Sequence, residues 1–430
     1  MYNLLKRELE KRQEPIRVCI VGCGWFGSGL IRELFRTPGL EPRVIITKTI
    51  DKAVSLYNNL GIDKQDIVVV NNPSDLTLIS HNKYIVSPNL DLIKYLGDID
   101  VVYEATGDIL AGAQSAMNSF EISKPFVTIN FEMDSLIGLI LSRIANEKGL
   151  MYSCSDGDQP GVLARMIHEI TAWGFKPKIS GSCKGFLDYY QTPKGVEPFV
   201  PSNQDIKKIC SFADGSKQSC EMVSLGNAFG FFPLKRGMYG PKTISKQELI
   251  RTFFSVMDLD SKENSYVDFI MGLDGVDQGA GVFIIAHKEG PGVKEDLRYL
   301  KKGLGPYYLF FRDHHLCYLE AISSIAEAVL FKIPTFHSKG RFSDVIAIAK
   351  RDLEGGKRLD GIGGYDCYGL IEKVDITSKE NLLPLGLAEY ATLKQSIPKD
   401  TPITYDMVEL DDNLVVRLRK EQDKLPISRE

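Results

Sequence analysis

The sequence predicts an α/β protein in three parts: an N-terminal doubly wound domain, a looser central α+β domain and a small β-rich C-terminal unit. Three observations lead there. Short Val/Ile-rich runs alternate with amphipathic stretches through the first third, as in a parallel sheet covered on both faces. A G-x-G-x-x-G turn follows the first such run. A faint repeat runs through the last part of the chain. The 430 residues suffice for two to four domains.

The first third reads as strands at Arg17–Gly22, Arg43–Thr47, Asp66–Val70, Asp100–Ala105, Pro125–Asn130 and Leu150–Cys154. Helices are expected at Ser28–Arg36, Lys52–Leu60, Ala111–Ser123 and Ser135–Lys148. The opening MYNLLKRELEKRQEP mixes charges and reads as a short surface helix rather than a signal peptide. In the central part a helix at Val162–Trp173 leads to a strand at Lys176–Gly181, and Asp188–Lys246 is polar enough to be a set of binding loops with short helices. Strands near Val282–His287 and Tyr307–Phe311 precede a strong helix at Leu316–Phe331. In the last part, Ala347–Asp360 and Ala391–Thr404 share a pattern 44 positions apart, which suggests a pseudo-symmetric β unit.

Composition excludes several classes. Lys and Arg total 52 against 56 Asp and Glu, for a net charge of −4, so the chain lacks the basic excess of a nucleic-acid binder. No apolar run approaches the roughly 20 residues of a membrane span. The eight cysteines never form CxxC, which argues for reduced thiols in a cytoplasmic protein. No GxSxG elbow, Walker loop or HExxH is present.

The turn Gly22-Cys23-Gly24-Trp25-Phe26-Gly27 points to dinucleotide binding. Gly22 permits the tight turn, Gly24 lets a pyrophosphate approach the backbone, and Gly27 lets helix and strand pack closely. No acid stands at the end of the second strand, where Thr47, Lys48 and Thr49 occur instead. Lys48 is either a partner for a 2′-phosphate or a solvated lysine, and the reading prefers NADP(H) over NAD(H). Glu104, Thr106 and Gly107 follow a later strand and are expected along the cofactor channel.

Three further clusters carry candidate chemistry. Asn130, Glu132 and Asp134 lie at a strand end. Asp156 and Asp158 precede Pro160 at a helix start, where one is expected to cap the helix and the other to face substrate or a hard cation such as Mg²⁺ or Mn²⁺. Lys184 follows a β-prone run and suits a substrate phosphate or a polarised carbonyl. Tyr307, Arg312, His314 and His315 precede the late helix. Arg312 reads as an anion clamp, and His315 is preferred over His314.

The succession GCGWFGSGL, VVYEATGD, FVTINFEMD, SDGDQPGV, a Lys-Gly pair after a strand, GPYYLFFRDHHL and LPLGLAEYATLKQSIPKDTPITYDMV resembles the homoserine-dehydrogenase-like oxidoreductases with a C-terminal SAF domain. Their best-known branch is the 1-deoxy-D-xylulose 5-phosphate reductoisomerase-like enzymes. The resemblance implies an NAD(P)-binding Rossmann domain over 1–155, a catalytic and dimerisation domain over 156–335 and an SAF-like domain over 336–430. It implies a homodimer or homotetramer acting on a small phosphorylated sugar, with no nucleic-acid or membrane partner. The expected activity is NADPH-dependent rearrangement and reduction of a phosphorylated ketose, either deoxyxylulose 5-phosphate or a ribulose 5-phosphate-like pentulose, with a divalent cation. Lys184, Asp156, Asp158 and His315 match the family's catalytic positions. Asp156 and Asp158 would hold the metal, cofactor contacts would include Trp25, Phe26, Thr49 and Asn130, and Glu132, Tyr307 and Arg312 would contact substrate. Phe131 and the run Asp188-Tyr189-Tyr190 depart from that branch. The alternatives are a plain NAD(P)-dependent dehydrogenase of a hydroxy or branched sugar acid, needing no metal, and a non-catalytic cofactor-sensing protein.

Overall fold

The computed structural model describes residues 2–78, 82–201, 204–257, 264–273 and 280–428. Seven strands form the first sheet: β1 (Ile16–Val21), β2 (Leu40–Ile46), β3 (Ile67–Val69), β4 (Tyr84–Ser87), β5 (Val101–Glu104), β6 (Phe126–Thr128) and β7 (Tyr152–Cys154). Their order is β3-β4-β2-β1-β5-β6-β7, and every pair is parallel. Strand β4 was not anticipated. Side chains alternate along β1: Val18 and Ile20 join one hydrophobic cluster, while Cys19 and Val21 join the other. Because β1 is flanked by β2 on one side and β5 on the other, the winding reverses there. The crevice outside the carboxyl ends of β1 and β5 is therefore the place where such sheets bind ligands.

One face of this sheet is covered by the helix Trp25–Arg36 and, from much later in the chain, by the helix Tyr318–Leu330. The ring of Tyr318 stands where a Cβ on Gly29 would be, 2.4 Å away, so the two helices meet at a glycine. The opposite face is covered by Ile109–Glu121 and Phe131–Glu147.

The second sheet comprises β8 (Lys176–Lys184), β9 (Tyr266–Met271), β10 (Val282–His287) and β11 (Tyr307–Arg312), in the order β11-β10-β8-β9. Strand β9 escaped the sequence reading. Strand β10 is antiparallel to β8 and β11, and β9 is parallel to β8. The polar stretch read as loops with short helices does hold short helices at Pro193–Val196 and Ile206–Ala213, but also the 14-residue helix Ser216–Phe229, buried along all but its last residue. It packs between Phe131–Glu147, the second sheet and the C-terminal strands.

The C-terminal part holds β12 (Ser343–Ala349) paired with β13 (Cys367–Lys373), and β14 (Ala391–Leu393) paired with β15 (Val408–Leu410). The two repeated segments pair with each other. Ile348 bridges Pro402, and their equivalents under the 44-residue offset, Thr392 and Arg358, bridge as well, while Leu353 bridges its own equivalent Ile397. A local pseudo-twofold axis therefore passes between Leu353 and Ile397. The helix Leu414–Asp423 fastens this unit to the first domain: buried Arg419 holds both carboxylate oxygens of Asp344, at 2.7 and 2.9 Å, and reaches the Leu136 carbonyl.

All eight cysteines are unpaired and seven are buried. Among the described residues, no helix is long and apolar enough to cross a membrane.

Candidate active site

The glycine turn is built as its spacing requires. Gly22 has φ +105°, and a Cβ there would lie 2.8 Å from the Ala105 carbonyl oxygen. A Cβ on Gly27 would lie 2.1 Å from the Gly22 oxygen, so helix and strand close up on each other. At Gly24 a Cβ would meet nothing within 4 Å. Gly24 is also the N-cap of Trp25–Arg36 and supplies no side-chain cap, so no side chain there satisfies the first-turn N–H groups. A dinucleotide's phosphates fit this cradle. Phe26 turns inward, stacking on Tyr103 and meeting Tyr318 edge-on, whereas Trp25 is partly exposed against Tyr318. Lys48 and Thr49 are exposed beyond β2, with the Thr49 hydroxyl 3.0 Å from that of Thr47.

Glu104 does not line a channel. It is fully buried and accepts hydrogen bonds from the Thr106 amide and the Thr128 hydroxyl, both at 2.7 Å. Burial raises its pKa, against the pull of these donors. Asn130 caps Phe131–Glu147 through Met133 N at 3.0 Å and reaches the Asp108 carbonyl. Glu104 and Asn130 therefore brace the strand ends from below. Thr106, Gly107 and Glu132 line a cavity of about 330 Å³ whose far wall belongs to the C-terminal unit.

The two aspartates of the SDGD loop part company. Asp156 is 2% exposed. It accepts from Arg165 Nε at 2.9 Å and from Gly157 N, and Arg165 also grips Glu327 with two hydrogen bonds. Asp158 caps the helix Gln159–Ala172 through Gln159 N at 3.0 Å and turns its other oxygen to Lys217 Nζ at 3.1 Å. His315 Nε2 lies 3.8 Å from Asp158, while its Nδ1 is 2.9 Å from the Ala280 carbonyl. A proton on Nδ1 satisfies that carbonyl and leaves Nε2 facing the carboxylate. The approach is enforced by glycine: a Cβ on Gly157, at φ +103°, would lie 1.9 Å from the Cys317 oxygen. His314 is exposed.

Asp158, Lys184 and His315 share the wall of a cavity of about 740 Å³. Lys184 lies at the end of β8, and its Nζ donates to the Phe212 carbonyl. Burial lowers its pKa to about 8, against the opposing pull of Glu221 and Asp214.

Sequence reasoning missed two residues on the unanticipated helix. Lys217, 4% exposed, lies 3.1 Å from Asp158 and 2.8 Å from Glu221, with the rings of Phe131 and Phe212 each 5.6 Å from its ammonium. Glu221 itself lines the cavity. Burial works against the charge on Asp158, but Lys217 and His315 outweigh it and hold the carboxyl at about 2. For Glu221 burial prevails, and its carboxyl rises to about 7 despite Lys217. A Lys–Glu pair at i,i+4 just after Asp-Gly-Ser was the available signal.

The remaining expected substrate contacts lie elsewhere. Arg312 is paired with Glu320, whose second oxygen accepts Leu316 N at 2.8 Å. Tyr307 pairs with His287, which pairs with Lys176, so it sits at the end of the sheet opposite Lys184. Nor do Asp156 and Asp158 fit a shared divalent cation: the first is committed to Arg165, and the ammonium of Lys217 already stands between Asp158 and Glu221. Among the described residues, no three His, Cys, Asp or Glu side chains converge as a metal site.

A parallel sheet with an open glycine turn, joined to a domain carrying a Lys/His/Asp-lined cavity, is a Rossmann-like architecture. Residues 157–321 match the family model described as oxidoreductase DRL, catalytic domain. No curated protein matches the chain. Among solved structures, 1-deoxy-D-xylulose 5-phosphate reductoisomerase from Zymomonas mobilis in complex with NADPH is 12% identical, with 74% of this chain and 81% of that one covered at a TM-score of 0.39. The yvaA protein of Bacillus subtilis is 13% identical over 75% and 91% of the two chains, at 0.37. KijD10, a 3-ketoreductase from Actinomadura kijaniata, is 12% identical over 74% and 90%, at 0.34.

Proposed function

We propose that this chain is an NAD(P)-dependent oxidoreductase that interconverts a carbonyl and an alcohol in the cavity between Lys184 and His315. One observation carries the reading. His315, Cys317 and Tyr318 lie on a single short span that abuts Asp158 at one end and the first turn after the glycine loop at the other. The dinucleotide cradle and the titratable cavity are thus built onto each other.

A bound dihydronicotinamide supplies the hydride. The chain's own residues supply the rest. Lys184, desolvated enough to release a proton near neutrality, donates from Nζ to the substrate oxygen as charge builds on it. His315, fixed by Ala280, orients the same oxygen or an adjacent hydroxyl. Asp158 stays ionised beside it because Lys217 neutralises its cost of burial. The rings of Phe131 and Phe212 flank the Lys217 ammonium.

This arrangement favours the plain dehydrogenase over the reductoisomerase. Rearranging an α-hydroxyketone calls for a hard cation bridging two oxygens, and Asp156 is already paired with Arg165 and Asp158 with Lys217. The exposed Lys48 supports a preference for NADP(H), and the pseudo-symmetric strands support an SAF-like reading of residues 336–430.

The test is oxidation of NADPH and NADH against a panel of oxo acids and pentulose phosphates, with EDTA or Mn²⁺ present. Turnover indifferent to EDTA is expected. Turnover of a pentulose phosphate that depends on Mn²⁺ would instead establish the reductoisomerase, and absence of NAD(P)H binding would defeat both.

A further inference from the structure

The cavity is divided by chemistry. Its floor holds Asp158, Lys184, Glu221 and His315, while its outer wall is built from Phe186, Val196, Phe199, Ile209 and Phe212. Three of these aromatic side chains are left substantially bare: Phe186 is 55% exposed, Phe199 78% and Phe212 39%. Bare aromatic surface of this kind at the mouth of a polar site is costly in water unless a ligand covers it. At about 740 Å³ the space is in the range that accepts drug-sized molecules.

The floor is also poorly equipped for a phosphate. Among the described lining residues only Lys184 and His315 can carry positive charge, and no arginine is present. Lys184 already donates to a backbone carbonyl, and His315 faces the Asp158 carboxylate. Two carboxyl groups, Asp158 and Glu221, look into the same volume. With Lys217 spent on those two carboxyls, a dianion would find no cation there that is not already engaged.

We propose that the substrate is a neutral or singly charged oxo or hydroxy compound bearing an extended apolar arm. Its oxygen function lies on the floor and its arm runs outward along Phe212, Phe186 and Phe199. This rests on the reading of the floor as the site of hydride exchange, and it replaces the compact sugar phosphate expected from the sequence.

The test is calorimetric titration of the full chain with straight-chain 2-oxo acids of increasing length, from four to about ten carbons, alongside NADPH oxidation with the same acids. Affinity is expected to rise about fourfold per added methylene. Phe199→Ser and Phe186→Ser, both at exposed positions, should flatten that rise. Inorganic phosphate should not compete.

The inference is overturned if affinity is independent of length, if no acid binds, if neither variant changes the slope, or if phosphate displaces the acids. Turnover of short acids without any gain from length would retire the apolar arm alone. Length-dependent binding without hydride transfer would retire the oxidoreductase reading and leave the arm standing.

Discussion

Replacing Lys217 by Met removes the ammonium that Asp158 and Glu221 share while keeping most of the side chain's volume. The wild-type carboxyl of Asp158 is held at about 2 rather than its ordinary 3.8, a difference worth about 2 kcal/mol. Because that carboxyl is depressed, its contribution is present above pH 4 and disappears as pH falls through 2. In the variant two buried carboxylates lose their partner, and breaking a buried pair in this way costs about 3–5 kcal/mol. Both groups then escape the penalty by binding protons, which acid favours. The loss should therefore be largest at pH 7.5 and shrink toward pH 5. Urea unfolding of both proteins followed by circular dichroism at the two pH values measures it. A loss below about 1 kcal/mol at pH 7.5, or one equal at both pH values, would refute the assignment of Lys217 as the counter-charge.

Other consequences can be checked alongside. The Glu221 carboxyl is raised from 4.5 to about 7, so its contribution is intact below pH 4.5 and lost as pH rises through 7; Glu221→Gln should abolish a decline of about 3 kcal/mol over that window in denaturant titrations. Gly24→Asp introduces a competent N-cap into open space and should raise the melting temperature slightly, yet weaken NAD(P)H binding at least about a hundredfold by fluorescence titration, since the carboxylate takes the phosphate's place. Gly27→Ala, by contrast, drives a methyl into the Gly22 carbonyl and should cost about 1–3 kcal/mol in stability. Lys184→Met should slow carbonyl reduction by about 10²–10⁴ and erase the fall in rate above pH 8 that deprotonation of Lys184 imposes on the parent enzyme.

The first domain was legible because its signals are local. Most strands of the parallel sheet sit in short aliphatic runs, although β4 was missed, and the glycine turn declares itself by its spacing between a strand and a helix. Asp158 and His315 were likewise legible as polar residues at element boundaries. The helix Ser216–Phe229 was not. Its sequence, SKQSCEMVSLGNAF, has no apolar stripe because the helix is buried on every side, and its polar residues are paid for by tertiary partners such as Asp158, Ser182 and Gly369. Lys217 and Glu221 were hidden with it. Arg312 and Tyr307 misled for different reasons: Arg312 is spent on Glu320, and Tyr307 stands five positions away along β11 at the other end of the sheet, which sequence proximity does not reveal. Asp156 differs from Asp158 only by the partner that reaches it, Arg165 from the following helix, and no pattern in the loop reveals that choice.

The paired repeats of the C-terminal unit have a consequence for assembly. Each copy meets the other along its backbone, edge against edge, around Leu353 and Ile397. The backbone amides and carbonyls of Leu353 and Ile397 satisfy each other across this seam, so that edge is not offered to a strand from another molecule.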